Sequence, residues 1–264
     1  MIYRLTTQFE FAFRHWTIVR DTFHYQDRLR IMRIKTKTKL RNVLALPLIA
    51  AFGIGCTTAP PTIDTSPSAE VTFDGLHEIL NSEADQAWAV PGLNLSGYSK
   101  IMLRGEGIEY RPGGESGRTY HSRSSAGPYE VTEPQKERML EVVREVFLEE
   151  LGKSERFTIV EEPGPDVMLV RGVLLDVVSY VPPESPGRVD VYLSQVGQAT
   201  LVLEVRDSIS GAILARAIDR RAAENMSGGV LSNRVTNTAE VRRLIRRWGS
   251  GLRERLEELA GAGS

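Results

Sequence analysis

Alternating apolar and polar positions predict the strands of this chain. Residues 98–110 alternate well enough for a strand, with a bulge expected at Gly105 or Gly107. The longest apolar stretch, 167–181, predicts a second strand, bent at Gly172. Three shorter strands are predicted at residues 157–160, 199–206 and 213–220. The last two are expected to form a hairpin, because a polar turn that ends in glycine separates them.

Apolar residues at helical spacing predict two helices. The first begins at Thr132, with Gln135 as its capping-box partner, and ends at Gly152. Its expected apolar face consists of Met139, Leu140, Val143, Val146, Phe147 and Leu151. The second is expected to be capped by Asn237 with Glu240. Its apolar stripe is Val241, Leu244, Ile245, Trp248, Leu252, Leu256 and Leu259.

The order of these elements predicts a single α+β domain over residues 70–264. We expect an antiparallel or mixed sheet of about four to five strands with both helices packed on one face. Residues 73–91 are interpreted as an irregular lead-in, and residues 222–237 as a loop before the last helix.

Upstream of this domain, a basic segment is followed by an apolar one and then by a cysteine. Five cations without an acid occupy residues 33–41, and an apolar run of 13 residues, 43–55, leads to Cys56. As a helix this run would rise only about 20 Å, too short to cross a hydrocarbon core of about 30 Å. The order of parts is that of a secretory signal peptide, which we assign to residues 32–55.

Cys56 is the only cysteine in the chain, so it has no internal disulfide partner. Its position resembles the lipobox of bacterial lipoproteins, in which the peptide is cut before the cysteine and the thiol carries acyl chains. Gly53 departs from that pattern, because a branched apolar residue is usual three positions before the cysteine. The alternatives are a cleaved signal without lipid and a buried structural cysteine. A residue other than Asp at Thr57 implies, by the same resemblance, sorting to the outer membrane in a Gram-negative cell.

The segments on either side of the signal peptide are also distinctive. Met32 stands directly before the basic residues, so residues 1–31 are interpreted as an over-extended start absent from the mature protein; a cytoplasmic extension is the alternative. Residues 56–69 are rich in Pro, Ser and Thr, which predicts an extended tether holding the domain away from the membrane.

The charge balance changes once residues 1–55 are removed. They hold ten Lys/Arg and three Asp/Glu, so 23 basic and 31 acidic residues remain, a net charge of −8. An acidic surface repels phosphate backbones, and we therefore expect no nucleic-acid partner.

Motifs for catalysis or cofactor binding are not found in the sequence. Only two of the four histidines, His77 and His121, follow the cysteine, and neither has a metal-ligand spacing. We therefore expect no metal and no cofactor. Carboxylates that could form an acid–base pair are present, although sequence gives no distance between them; they are Asp166, Asp176, Asp190 and Glu204.

Three stretches carry a family resemblance: residues 88–103, 162–176 and 203–216. They resemble the uncharacterised bacterial lipoproteins grouped as domain of unknown function 3313, over roughly residues 71–260. The resemblance implies the fold and the cellular address, and it brings no catalytic residues.

These observations favour a lipid-anchored envelope protein that faces the periplasm and has no enzymatic activity. We expect it to contact membrane lipid through acylated Cys56 and to bind an unknown envelope protein or polymer as an accessory module. Two alternatives stay open: an envelope hydrolase using a carboxylate pair, and a subunit of an envelope oligomer.

Overall fold

The computed structural model describes residues 59–111, 128–182, 190–224 and 228–261. In that part of the chain, ten strands and two helices follow one another as β1 (Thr62–Ile63), β2 (His77–Leu80), β3 (Gln86–Ala89), β4 (Lys100–Tyr110), α1 (Glu133–Leu151), β5 (Thr158–Val160), β6 (Val167–Ser179), β7 (Tyr192–Leu193), β8 (Gln195–Asp207), β9 (Ile213–Glu224), β10 (Val230–Leu231) and α2 (Arg234–Gly261).

Eight strands form one mixed sheet in the order β1-β2-β3-β9-β8-β6-β4-β5, and β10 pairs with β7 in a separate ribbon. The strands β5, β4 and β6 are parallel, and the other neighbours are antiparallel. The prediction of a mixed α+β fold is confirmed. The count of four to five strands is wrong, because β1, β2 and β3 have only two to four residues each and show no readable period.

Both helices pack on one face of the sheet, as predicted. Side chains of α1 and α2 share one core with alternate residues of the central strands. The largest fully buried side chains of that core are Leu95, Ile101, Leu151, Met168, Leu174 and Ile245. Since successive residues of a strand point to opposite faces, the neighbours of these strand residues lie on the helix-free face.

The first helix agrees closely with its sequence signals. Thr132 is its N-cap and forms the expected capping box with Gln135, and Gly152 is its C-cap. The predicted apolar face is correct except at Leu140, which is 47% exposed; Val142 packs on the core in its place.

The second helix begins three residues before the predicted cap. Asn233 precedes it, and its side-chain oxygen accepts hydrogen bonds from the backbone N–H groups of Val235 and Thr236. The predicted cap, Asn237, lies inside the helix, and Glu240 is buried in its second turn. The predicted apolar stripe packs on the core throughout.

The chain leaves the ideal strand path at two places. The register between β4 and β6 shifts between Gly105 and Gly107, which confirms the predicted bulge. The bend expected at Gly172 stays a prediction, and the register between β6 and β8 shifts further along the strand, between Leu175 and Val178. There Asp176 adopts a left-handed φ of 53°.

The hairpin of β8 and β9 is longer than predicted. Residues 222–237, which were predicted to form a loop, contain the end of β9, the strand β10 and the start of α2. The predicted tether contains β1, and the predicted lead-in contains β2 and β3. Cys56, the signal segment 32–55 and residues 1–31 lie outside the described residues. Among the helices that are described, none has the length and hydropathy needed to cross a bilayer.

Candidate functional site

A row of charged side chains crosses the helix-free face of the sheet. Strand pairing places Arg104 of β4 opposite Arg171 of β6, Arg171 opposite Glu204 of β8, and Glu204 opposite Arg216 of β9. We call these four residues the charged row. Each directly follows a residue whose side chain packs on the core, namely Leu103, Val170, Leu203 and Ala215, so the alternation along the strands directs the row to the other face.

Two carboxylates converge on Arg216 at one end of the row. Its Nη2 donates to Asp74 Oδ2 at 2.6 Å and to Glu204 Oε1 at 2.9 Å. Arg206 also donates to Glu204, with 2.9 Å between its Nε and Oε2. Arg216 and Glu204 are 12% and 20% exposed, so this cluster is largely withdrawn from solvent.

Both carboxyl groups of this cluster stay ionised. Burial raises the pKa of Glu204, but the charges and hydrogen bonds of Arg206 and Arg216 outweigh it and hold that pKa below its ordinary value. Burial likewise raises the pKa of Asp74, and hydrogen bonds from Thr72 and Arg216 lower it further than burial raises it. Neither group has the raised pKa of a general acid.

The other end of the row is more open and positively charged. Arg104 is exposed and its Nη2 donates to the Glu161 carbonyl at 3.0 Å. Arg171 pairs with Glu106, with 2.9 Å between Nε and Oε1. Arg171 is therefore neutralised by a carboxylate, whereas the contacts of Arg104 within the described residues are to the Met102 sulfur and the Glu161 carbonyl. Arg104 is the cation at this end of the row that favours an anionic partner group.

A second polar cluster joins three turns at the end of the sheet where β8 turns into β9. Tyr98 donates to Asp207 at 3.0 Å, and Ser99 Oγ donates to Asp166 Oδ2 at 2.5 Å. Ser208 Oγ donates to the Gly164 carbonyl at 2.9 Å. A shallow depression of about 480 Å³ lies beside these turns, lined by Lys100 and residues 159–167. The hydrogen bonds lock the turns together, and the three stretches that carry the family resemblance meet here.

The four carboxylates singled out in the sequence are not brought together. Asp166 contacts Ser99 and Lys100, and the hydrogen bond from Ser99 lowers its pKa most. Asp176 pairs with Arg111 and, at 3.6 Å, with Arg220. Asp190 is exposed just before β7, and only Glu204 approaches another carboxylate, that of Asp74, through their shared arginine.

Sequence reasoning missed the arginines of the charged row and Asp74. On the outward side, Glu204 and Arg206 of β8 and Arg216 and Arg220 of β9 are charged, which was a usable signal. What joins them, however, is strand register, and register cannot be read from one strand alone.

Within the described ranges, no group of three or more His, Cys, Asp or Glu side chains could hold a metal ion. His77, the one histidine among the described residues, places its Nδ1 2.8 Å from the Asp64 carbonyl oxygen.

A family model described as "Protein of unknown function (DUF3313)" matches residues 66–252. The chain belongs to this family. The match covers all three stretches on which the resemblance was based. No curated protein matches the chain.

Solved structures with a similar fold include a PelC variant dodecamer from Paraburkholderia phytofirmans (14% identity, TM-score 0.31, 63% of this chain and 95% of that one). A neuraminyllactose-binding hemagglutinin homologue from Helicobacter pylori matches at 11% identity and a TM-score of 0.33, over 63% and 92% of the two chains. The hypothetical protein CT253 from Chlamydia trachomatis matches at 11% and 0.32, over 62% and 99%. Likenesses this distant say nothing about activity, partner or assembly.

Proposed function

We propose that this DUF3313 chain is a lipid-anchored envelope protein whose folded domain is a binding or accessory module. The anchor is supported by the order of parts in the sequence: a basic segment, a short apolar run and then Cys56. Two or three acyl chains on that cysteine hold a protein stably at a bilayer, where a single chain is marginal. In a Gram-negative cell the address is the periplasmic side of the outer membrane.

The observation that carries the binding role is the charged row. It lies on the face of the sheet opposite both helices, and it ends in the opposed cations Arg104 and Arg171. Fixed by strand register, these groups present a rigid pattern at little entropic cost. The partner that fits is an envelope protein or polymer with an anionic group facing Arg104.

We propose that the domain has no enzymatic activity of its own. The carboxylates most suited to acid–base work, Asp74 and Glu204, are neutralised by a shared arginine and have lowered pKa values. A carboxylate-pair hydrolase needs one acid with a raised pKa next to an ionised partner. Asp74 and Glu204 instead share Arg216 and both have lowered pKa values, an arrangement that suits recognition better than acid–base chemistry.

Cross-linking capture from native envelopes tests this proposal. Full-length wild-type protein should recover a defined envelope component, and Arg104→Glu should lose most of it. Arg246→Glu, which reverses an exposed charge on α2, serves as the matched control and should retain the component.

In parallel, labelled palmitate should enter the wild type and not Cys56→Ser. The binding role fails if both charge reversals recover the component equally, or if no component is recovered from acylated protein.

A further inference from the structure

The ribbon of β7 and β10 has one apolar side that faces away from the core. Tyr192 pairs with Leu231, and they are 63% and 37% exposed. Leu193, the next residue, points the other way and packs on the core. The ribbon is therefore held by its inner side while its outer side presents an aromatic and an aliphatic residue to the surroundings.

Two further exposed apolar residues adjoin the ribbon. Val191, 37% exposed, precedes Tyr192, and its carbonyl accepts a 2.7 Å hydrogen bond from the backbone N–H of Ser232. Val235, 75% exposed, lies in the first turn of α2, which Thr236 fastens to the Leu231 carbonyl at 2.7 Å. We call Val191, Tyr192, Leu231 and Val235 the ribbon patch. Four large apolar residues exposed in and next to one short ribbon indicate a contact surface.

Strand directions relate this patch to the point where the chain enters the sheet. Thr62 pairs with Leu80, so the chain enters β1 from the side on which β2 turns into β3. The strand β3 begins at Gln86, which pairs with Ile218, and runs antiparallel to β9. The turn between β2 and β3 therefore lies on the side toward which β9 runs.

The strand β9 ends at Glu224, opposite Gln195 at the start of β8, and β7 of the ribbon ends two residues before Gln195. Entry point and ribbon patch therefore lie toward the same end of the strands. Three strand spacings, about 15 Å, separate β1 from β9 across the sheet.

The chain between Cys56 and the sheet is short. Pro60 is already fixed, because its carbonyl accepts a hydrogen bond from the Asn81 side chain at 3.5 Å. Four residues span at most about 14 Å when fully extended, so acyl chains on Cys56 would bring this end of the sheet against the bilayer. The segment predicted to be a tether therefore allows only a small distance between the domain and the membrane.

We propose that the ribbon patch rests on the lipid surface and orients the domain, with the charged row directed along or away from the membrane. This inference rests on the proposed lipid anchor. Tyrosine is favoured at membrane–water interfaces, and an apolar patch needs to enter the interfacial region by only about 5–10 Å. The reach from Cys56 is what selects lipid over a protein as the occupant.

Fluorescent labels quenched by lipid-borne nitroxides test the orientation. Acylation consumes the single native thiol, so Tyr192→Cys, Val235→Cys and Ile209→Cys each give one labelling site in full-length, lipid-modified protein. Ile209 is the control, since it is 65% exposed in the turn between β8 and β9 at the opposite end of the sheet. The proteins are placed in vesicles of phosphatidylethanolamine and phosphatidylglycerol carrying nitroxide-labelled lipid.

We expect blue-shifted emission and strong quenching at positions 192 and 235, and water-like, unquenched emission at position 209. Equal quenching at all three positions, or none at 192 and 235, overturns the orientation while palmitate labelling of Cys56 leaves the anchor standing. A label shielded from water but not quenched would mean that a protein covers the patch, which also overturns it. Absence of palmitate on Cys56 would instead remove the proposed anchor itself.

Discussion

Trp248 of α2 donates its indole N–H to the carboxylate of Asp219 on β9, with 2.7 Å between Nε1 and Oδ2. Both side chains are buried, at 5% and 8% exposure. Arg221 donates its Nε to the same oxygen, so the buried charge is paired as well as hydrogen-bonded. This contact fixes both the rotation of α2 and its position along the sheet.

Replacing Trp248 with phenylalanine should therefore destabilise the domain. The change removes a hydrogen bond to a charged acceptor and leaves space in the core, at a cost of about 2–4 kcal/mol in the free energy of unfolding. Urea denaturation followed by circular dichroism measures it. A loss below about 0.5 kcal/mol, the size of a surface substitution, would show that the contact does not hold the helix.

Gly249 of α2 lies close against Glu150 of α1. A Cβ there would lie 2.8 Å from Glu150 Cβ, whereas one at Gly251 would meet no atom within 4 Å. Gly249→Ala should therefore cost about 1–3 kcal/mol through overpacking. Gly251→Ala should stabilise α2 by up to about 1 kcal/mol. Thermal unfolding of the two variants should shift in opposite directions; a rise in both would refute the packing role of Gly249.

Arg216 should be the residue of the charged row that matters most for stability. Arg216→Leu leaves Asp74 and Glu204 partly buried without their shared partner, at a cost of about 2–3 kcal/mol, below the 3–5 of fully buried pairs. The control Arg246→Leu, exposed on α2, should change stability by less than about 0.5 kcal/mol. Equal effects of the two changes in urea denaturation would contradict this ranking.

The same cluster predicts how stability depends on pH. The pKa values of Asp74 and Glu204 are lower in the folded protein than in the unfolded chain. Their contribution is thus complete above the unfolded values near 4 and disappears as the pH falls through the folded values. The double variant Asp74→Asn, Glu204→Gln should lose stability less steeply than wild type between about pH 5 and pH 3. If the stability of both proteins fell equally steeply over this pH range, the ionised carboxylates of Asp74 and Glu204 would not be the cause.

Asn233 should be the effective cap of α2. Its side chain accepts from two backbone N–H groups, so Asn233→Ala should cost about 1 kcal/mol. The side chain of Asn237 bonds only to the Ser232 hydroxyl in the described contacts, and Asn237→Ala should cost less. Denaturation midpoints of the two variants decide between the observed and the sequence-predicted helix start.

Much of the fold was readable because several local signals agreed. In α1 the apolar period, the Thr132–Gln135 box and Gly152 all indicate the same bounds, and the structure has them. The hairpin of β8 and β9 combines alternation with a polar turn closed by Gly211. The strands β2 and β3 were missed because four residues carry too little periodicity. They become strands because β3 pairs with β9 and β2 pairs with β3.

The candidate site was less predictable for a different reason. Arg171, Glu204 and Arg216 are far apart in the sequence and become neighbours only through the register of β6, β8 and β9. The start of α2 was misplaced because Asn233 and Asn237 both have cap chemistry. Hydrogen bonds from the first turn back to Asn233 and Leu231 favour the earlier one.

Mass spectrometry of the N-terminal peptide from the mature protein, purified from its native membrane, tests the account most directly. The account predicts that Cys56 is the first residue and carries acyl chains. A free thiol at Cys56, or any of residues 1–55 still attached, would contradict it.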